Sequence, residues 1–238
     1  DVNGDGYDDV VVGASGVLTA VYYGSATGVQ AVGTPLEVGW RGWSVDGAGD
    51  VNGDGYDDVI VGVPADSGEA LLFLGSAAGV SSSSSWVREG SATNMYYGYS
   101  VATAGDVNGD GYGDVLAGSE QIPDIFLGSA EGLEAQPVAT LGCCGASVSS
   151  AGDVDHDGLD DVVVSTGAVY LASTFLDPAN ADRAGDTGGG NDSEPGSDSD
   201  SGSGGCGGEK GGCAAAPRGP PSVLLLGFGL VNRKRRLR

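Results

Sequence analysis

The sequence predicts an all-β fold built of repeated small antiparallel sheets, and three observations predict it. A nine-residue acidic block recurs at Asp1 (DVNGDGYDD), Asp50 (DVNGDGYDD), Asp106 (DVNGDGYGD) and Asp153 (DVDHDGLDD), with copies 49, 56 and 47 residues apart. Between the copies lie short runs rich in Val, Ile, Leu and Tyr, broken by Gly, Ser, Asn and Asp, the composition of strands and turns. No window sustains a 3.6-residue apolar period, and 46 of the 238 residues are glycine, which favours turns over helices.

Each repeat holds about four such runs. In the middle unit strands are expected near Ser44 to Ala48, Asp58 to Val63, Ala70 to Leu74 and Ser84 to Arg88. Three units open on a common motif, Gly42-Trp43-Ser44-Val45, Gly98-Tyr99-Ser100-Val101 and Gly145-Ala146-Ser147-Val148, and each runs on into Ala-Gly-Asp. A Val-rich run follows each acidic block, as in Asp58-Val59-Ile60-Val61-Gly62. A further segment then ends in Gly24-Ser25, Gly75-Ser76 or Gly128-Ser129. A radial array of four-stranded sheets, each burying its faces against its neighbours, is a β-propeller. Residues 1–176 hold about three to four blades, which reads as part of a larger propeller.

Charge narrows the function. The chain has 33 acidic and 10 basic residues, a net charge of −23, and one histidine. Residues 1–176 hold 25 acids and two bases, Arg41 and Arg88, whereas residues 177–238 hold eight of each. A nucleic-acid binder concentrates Lys and Arg to neutralise phosphates, so that class is excluded. His156 takes position 4 of the last block and has no visible triad partners, so it reads as a solvated loop residue and the chain reads as no enzyme.

Much of the acid sits in the four blocks, in a pattern that serves a cation. Oxygen-bearing side chains at positions 1, 3, 5 and 9 converge on one point, Gly at position 6 permits the sharp turn, and position 7 can add its backbone carbonyl. The candidate ligands are Asp1, Asn3, Asp5, Tyr7 and Asp9; Asp50, Asn52, Asp54, Tyr56 and Asp58; Asp106, Asn108, Asp110, Tyr112 and Asp114; and Asp153, Asp155, Asp157, Leu159 and Asp161. Position 8 varies between Asp57 and Gly113 while position 9 is always Asp, which favours position 9 as the ligand. An all-oxygen set without Cys or His disfavours zinc and copper, and the ligand crowding suits Ca2+ better than Mg2+. Up to four calcium ions are expected. An EF-hand would need an acid at position 12, where Val12, Val61, Ala117 and Val164 stand in apolar runs.

The pattern Gly-Asp-x-Asn-Gly-Asp-Gly-x-x-Asp, followed by Val-Val-Gly-Ala at Gly13-Ala14 and preceded by Tyr97-Gly98-Tyr99-Ser100, resembles the FG-GAP repeat of the integrin α-subunit β-propeller and its bacterial relatives. The resemblance covers residues 1 to about 173. It implies a propeller in which each loop joins two strands of one blade, a structural calcium, and a role in adhesion or protein interaction at the cell surface. Some such propellers are accessories of secreted enzymes, so an upstream catalytic domain is the alternative.

Trp40, Trp43, Trp86 and the tyrosines fall in strand segments and are expected in the blade core. Cys144 precedes the motif glycine, and with Cys143 forms a vicinal pair better suited to a buried thiol than to a bond between neighbours. Residues 177–222 read as a Gly/Ser/Asp-rich disordered linker, too poor in apolar groups to fold. Residues 223–238 combine a short apolar run with a basic end. With Cys206 and Cys213 upstream, they resemble the myxobacterial C-terminal sorting tail (MYXO-CTERM type), which implies membrane or surface association through the tail and an extracellular, bacterial setting.

Overall fold

The computed structural model describes residues 1–14, 18–38, 42–90, 96–119, 122–141, 147–165 and 167–176. Trp40, Cys143, Cys144, Cys206, Cys213 and the linker and tail readings over 177–238 lie outside the described residues. The chain divides into two units, Asp1–Gly190 and Asn191–Arg238, and the described residues belong to the first. No helix among them is long and apolar enough to cross a membrane.

The fold is nearly all β, in four small antiparallel sheets that follow one another along the chain. Blade 1 has β1 (Val10–Val12), β2 (Ala20–Tyr22) and β3 (Thr34–Pro35). Blade 2 has β4 (Ser44–Gly49), β5 (Asp58–Val63), β6 (Glu69–Phe73) and β7 (Trp86–Glu89). Blade 3 has β8 (Ser100–Gly105), β9 (Asp114–Gly118), β10 (Pro123–Phe126) and β11 (Ala139–Thr140). Blade 4 has β12 (Val148–Gly152), β13 (Asp161–Val164) and β14 (Val169–Tyr170), followed by a helical turn, α1 (Ala172–Phe175). Four strands per blade therefore hold for blades 2 and 3. Three strands are described in blade 1, and α1 follows the third strand of blade 4.

The acidic block joins the first two strands of blades 2, 3 and 4. The Ala-Gly-Asp that precedes it has a local cause. The register shifts by one residue at Gly47/Gly49, Thr103/Gly105 and Ser150/Gly152. Gly49, Gly105 and Gly152 take φ values of 72, 85 and 68° there. A bulge with a left-handed glycine bends the strand end into the loop, a conformation open to glycine at little steric cost.

Alternation along the strand after each loop decides the packing. Residues at block positions 10 and 12 face the preceding blade, as Val59 and Val61 do in a cluster with Val2 and Val21. Position 11 faces the following blade: Ile60 and Leu72 pack with Val101 and Val115, and Leu116 and Ile125 with Val148, Val162 and Phe175. The motif serine clamps neighbouring blades together. Ser44 Oγ accepts the Val101 N–H at 3.1 Å and Ser100 Oγ accepts the Val148 N–H at 3.1 Å. One hydroxyl thus ties blade 2 to blade 3 and another ties blade 3 to blade 4, which explains a serine at that point of the repeat.

Blades 2 and 3 also share a polar core. Tyr97 is buried and donates to Asp124 Oδ2 at 3.0 Å, while Thr140 Oγ1 donates to Asp124 Oδ1 at 2.7 Å. Burial first, then the Asp124 charge, pushes the Tyr97 phenol well above the ordinary tyrosine range, so it remains a donor. Tyr97→Phe is expected to cost about 1.5–3 kcal/mol, because it strips a hydrogen bond from a buried carboxylate. Urea unfolding should show a lower midpoint at unchanged m, and an unmoved midpoint would remove the bond from the account.

The aromatic residues divide in a way that corrects the expectation from sequence. Trp86 packs edge-on against Phe126 at 4.9 Å, in the core as expected. Trp43, by contrast, is 54% exposed and stands 5.9 Å from Tyr99. It precedes the motif serine at the mouth of β4, where the sheet ends and, among the described residues, Tyr99 is the ring beside it, so position beside a strand did not imply burial. Trp43 and Tyr99 line a shallow apolar cleft with Pro64 and Tyr96, at the sheet ends opposite the acidic loops.

Candidate metal centre

Each acidic block folds as a nest of side-chain-to-backbone hydrogen bonds, and the same atoms recur in all four. Position 1 takes the N–H groups of positions 5 and 6: Asp1 those of Asp5 and Gly6 at 3.1 and 2.8 Å, and Asp50 those of Asp54 and Gly55 at 3.0 and 2.7 Å. Asp106 takes those of Asp110 and Gly111, and Asp153 those of Asp157 and Gly158. Position 3 accepts the N–H of position 5 through Asn3, Asn52, Asn108 and Asp155. Position 5 accepts the N–H of position 7 through Asp5, Asp54, Asp110 and Asp157, which brings Tyr7, Tyr56, Tyr112 and Leu159 round the turn. Short acceptors that bond their own backbone two residues on are what Asp and Asn do in turns.

Position 9 is placed differently. Asp9, Asp58, Asp114 and Asp161 each accept two backbone N–H groups, one from block position 2 and one from the residue two places beyond the end of the blade's next strand. For Asp114 these are Val107 and Gly128, both at 2.8 Å; for Asp161 they are Val154 and Ala172, both at 2.9 Å. The Gly of each Gly-Ser signature is therefore the donor that receives position 9, and Ala172 takes that place in blade 4. Asp58, Asp114 and Asp161 are wholly buried. Burial pushes Asp58 and Asp114 up to about 7, against their N–H donors, and the carboxylates at positions 5 and 1 add to the push.

Position 8, set aside from the sequence because it varies, has a role of its own. Asp160 Oδ2 accepts the N–H of Asp106 in the preceding loop at 2.9 Å, and Asp57 Oδ2 binds the Asp1 amino group at 2.8 Å. The position 8 N–H groups of Asp57, Gly113 and Asp160 in turn donate to the carbonyls of Asp1, Asp50 and Asp106. The loops are thus stitched to one another in series. The recurrence of Asp at position 8 in three of the four blocks was the available signal.

The donor set fits a hard cation, most clearly in the fourth loop. In loops 1 to 3 the Asn amide at position 3 donates to the carboxylate at position 5, at 3.2, 3.0 and 2.8 Å. Asp155 has no such hydrogen to give. Carboxylate oxygens of Asp153, Asp155 and Asp161 lie within 4.8 Å of one another, close enough to share one ion. The one Lys or Arg among the described residues, Arg88, lies over the Phe126 ring and serves none of the loops. His156 is exposed, as expected, and stands at φ 64°. The side chains at positions 1, 3, 5 and 9 offer oxygen and neither sulfur nor imidazole, which suits an ion taking six to eight oxygen ligands and gives nothing to a thiophilic metal.

Residues 1–61 and 50–117 match the family described as FG-GAP-like repeat. The match takes in the first three loops and supports the FG-GAP repeat as the unit of this propeller-like array, a type of domain that serves protein–protein interaction. No curated protein matches the chain.

Proposed function

We propose that this chain is a calcium-loaded propeller segment that works outside the cell in adhesion or protein interaction, with the metal holding the loops and taking no part in chemistry. The observation that carries the metal reading is the approach of carboxylate oxygens of Asp153, Asp155 and Asp161 within 4.8 Å of one another, with Arg88, the one described Lys or Arg, engaged on the Phe126 ring. Carboxylates so placed repel one another, and a divalent cation turns that repulsion into attraction. Extracellular modules of this chemistry bind calcium at roughly 10⁻⁴ to 10⁻³ M, a level met outside cells, which favours an exported protein. The exposed Trp43 and its neighbours Tyr99, Tyr96 and Pro64 offer an aromatic face for a protein partner.

Calcium is expected to raise the melting temperature and EDTA to lower it; identical melting curves with and without metal would sink the reading. Calorimetric titration should count up to four ions. Asp54→Ala should remove one of them and leave the rest, since Asp54 belongs to the second loop alone.

A further inference from the structure

Loops 3 and 4 are joined through a single residue at block position 8. Asp160 stands between Leu159, whose carbonyl is a candidate ligand of loop 4, and Asp161, whose carboxylate approaches those of Asp153 and Asp155. Across the blade boundary it holds both backbone groups of Asp106, the first candidate ligand of loop 3. Asp160 Oδ2 accepts the Asp106 N–H at 2.9 Å, and the Asp160 N–H donates to the Asp106 carbonyl at 3.1 Å. The carboxylate is half-buried against Gly105, where a Cβ would collide with it. Leu159 adds to the grip, since its side chain lies 3.1 Å from where a Cβ on Gly109 would stand, at position 4 of loop 3.

Between loops 2 and 3 the link is thinner. Position 8 there is Gly113, which donates its N–H to the Asp50 carbonyl at 2.8 Å and carries no carboxylate to receive the Asp50 N–H. The difference falls on a residue that organises its loop. The Asp106 carboxylate takes the N–H groups of Gly109, Asp110 and Gly111, so whatever fixes the Asp106 backbone also fixes the aim of the carboxylate round which loop 3 is wound.

We propose that Asp160 is a positioning residue of the third calcium site and couples it to the fourth, so that the two sites fill cooperatively. The proposal rests on the calcium reading given above. An ion in loop 4 holds Leu159 and Asp161, and with them Asp160 between. Asp160 then presents Asp106 to loop 3 already oriented, and the ion that follows there orders less of the chain. Such coupling is reciprocal, so an ion in loop 3 favours binding in loop 4 by the same factor. Asp160 stands outside both candidate ligand sets and acts through the Asp106 backbone. The consequence is that blades 3 and 4 lock together over a narrow range of calcium, while loop 2 follows its own affinity.

The test is a calcium titration of the full chain, followed by NMR at the position 6 amides. Gly55, Gly111 and Gly158 each donate to the position 1 carboxylate of their own loop and so report loops 2, 3 and 4 separately. Disabling loop 4 with Asp157→Ala should raise the calcium midpoint at Gly111 by about fivefold or more. The Gly55 midpoint should move by under about twofold, as for a distant site. Asp160→Gly, with Gly already tolerated at position 8 of loop 3, should leave both ions bound yet raise the Gly111 midpoint by a similar factor. Adding Asp157→Ala to it should then raise that midpoint no further. Asp160→Asn keeps an oxygen for the Asp106 N–H and should restore the native midpoint. A purely structural residue would lower stability without abolishing the effect of Asp157→Ala. A Gly111 midpoint indifferent to Asp157→Ala, or raised by it equally with and without Asp160→Gly, overturns the coupling while calcium binding stands. If no glycine signal moves at about 10 mM calcium, well above the range of extracellular modules, the calcium reading falls and the proposal with it.

Discussion

Replacing Asp114 with Ala is expected to lower stability by about 3 kcal/mol, in EDTA as well as in calcium, because two buried N–H groups each lose their acceptor at about 1–3 kcal/mol apiece. The carboxylate is wholly buried and takes both N–H groups at 2.8 Å, so no water can replace it without opening the blade. Asp110→Ala makes the contrast. Asp110 is exposed and bonds within its own loop, so in EDTA its loss should cost under about 1 kcal/mol, the range of an exposed polar contact. In calcium it should remove one site and forfeit the stabilisation that site contributes. Urea unfolding of both variants, with and without EDTA, separates the two roles. If Asp114→Ala loses stability only in calcium, position 9 acts solely through the metal and the hydrogen-bond account is wrong.

The repeat made the fold legible, because its period carried both the strand order and the loop chemistry. Asp58 to Val63 was read to the residue, since an unbroken apolar run between an acidic turn and Pro64 leaves little freedom in its ends. β7 was read two residues early at its start, because Ser84 and Ser85 carry no packing signal and the strand begins where Trp86 finds Phe126. Trp43 was misread because its burial depends on what the next blade presents, and that blade presents Tyr99 at the rim instead of a covering wall. The loop residues were legible as a repeated set, but their division of hydrogen-bonding labour was not. Positions 1, 3 and 5 turn the loop on itself, while position 9 reaches across the blade to a glycine 14 to 17 residues away. That second partner is fixed by sheet register, which no local spacing records. Position 8 was passed over for a related reason: its partner lies in another repeat, 54 to 56 residues distant.

The largest contrast between two substitutions at one repeat position concerns position 4. Gly53→Ala is expected to cost about 2–4 kcal/mol, from left-handed backbone strain together with overpacking. Gly53 stands at φ 72°, and a Cβ there would come within 2.6 Å of the Tyr112 ring, which the following loop lays across it. Gly4 is covered in the same way by Tyr56, at 2.8 Å, so Gly4→Ala should behave alike. The fourth block shows the other side of the rule. His156 keeps the same left-handed conformation at φ 64° and lies exposed, with no position 7 side chain over it among the described residues. His156→Gly should therefore change stability by less than about 1 kcal/mol, since relief of strain and the added freedom of the unfolded chain oppose each other. Thermal or urea unfolding measures both variants directly. A harmless Gly53→Ala would mean that the Tyr112 ring yields freely and that the loops are not packed as a stack. A large loss from His156→Gly would mean that the imidazole has a partner, and that block position 4 is not governed by the loop that covers it.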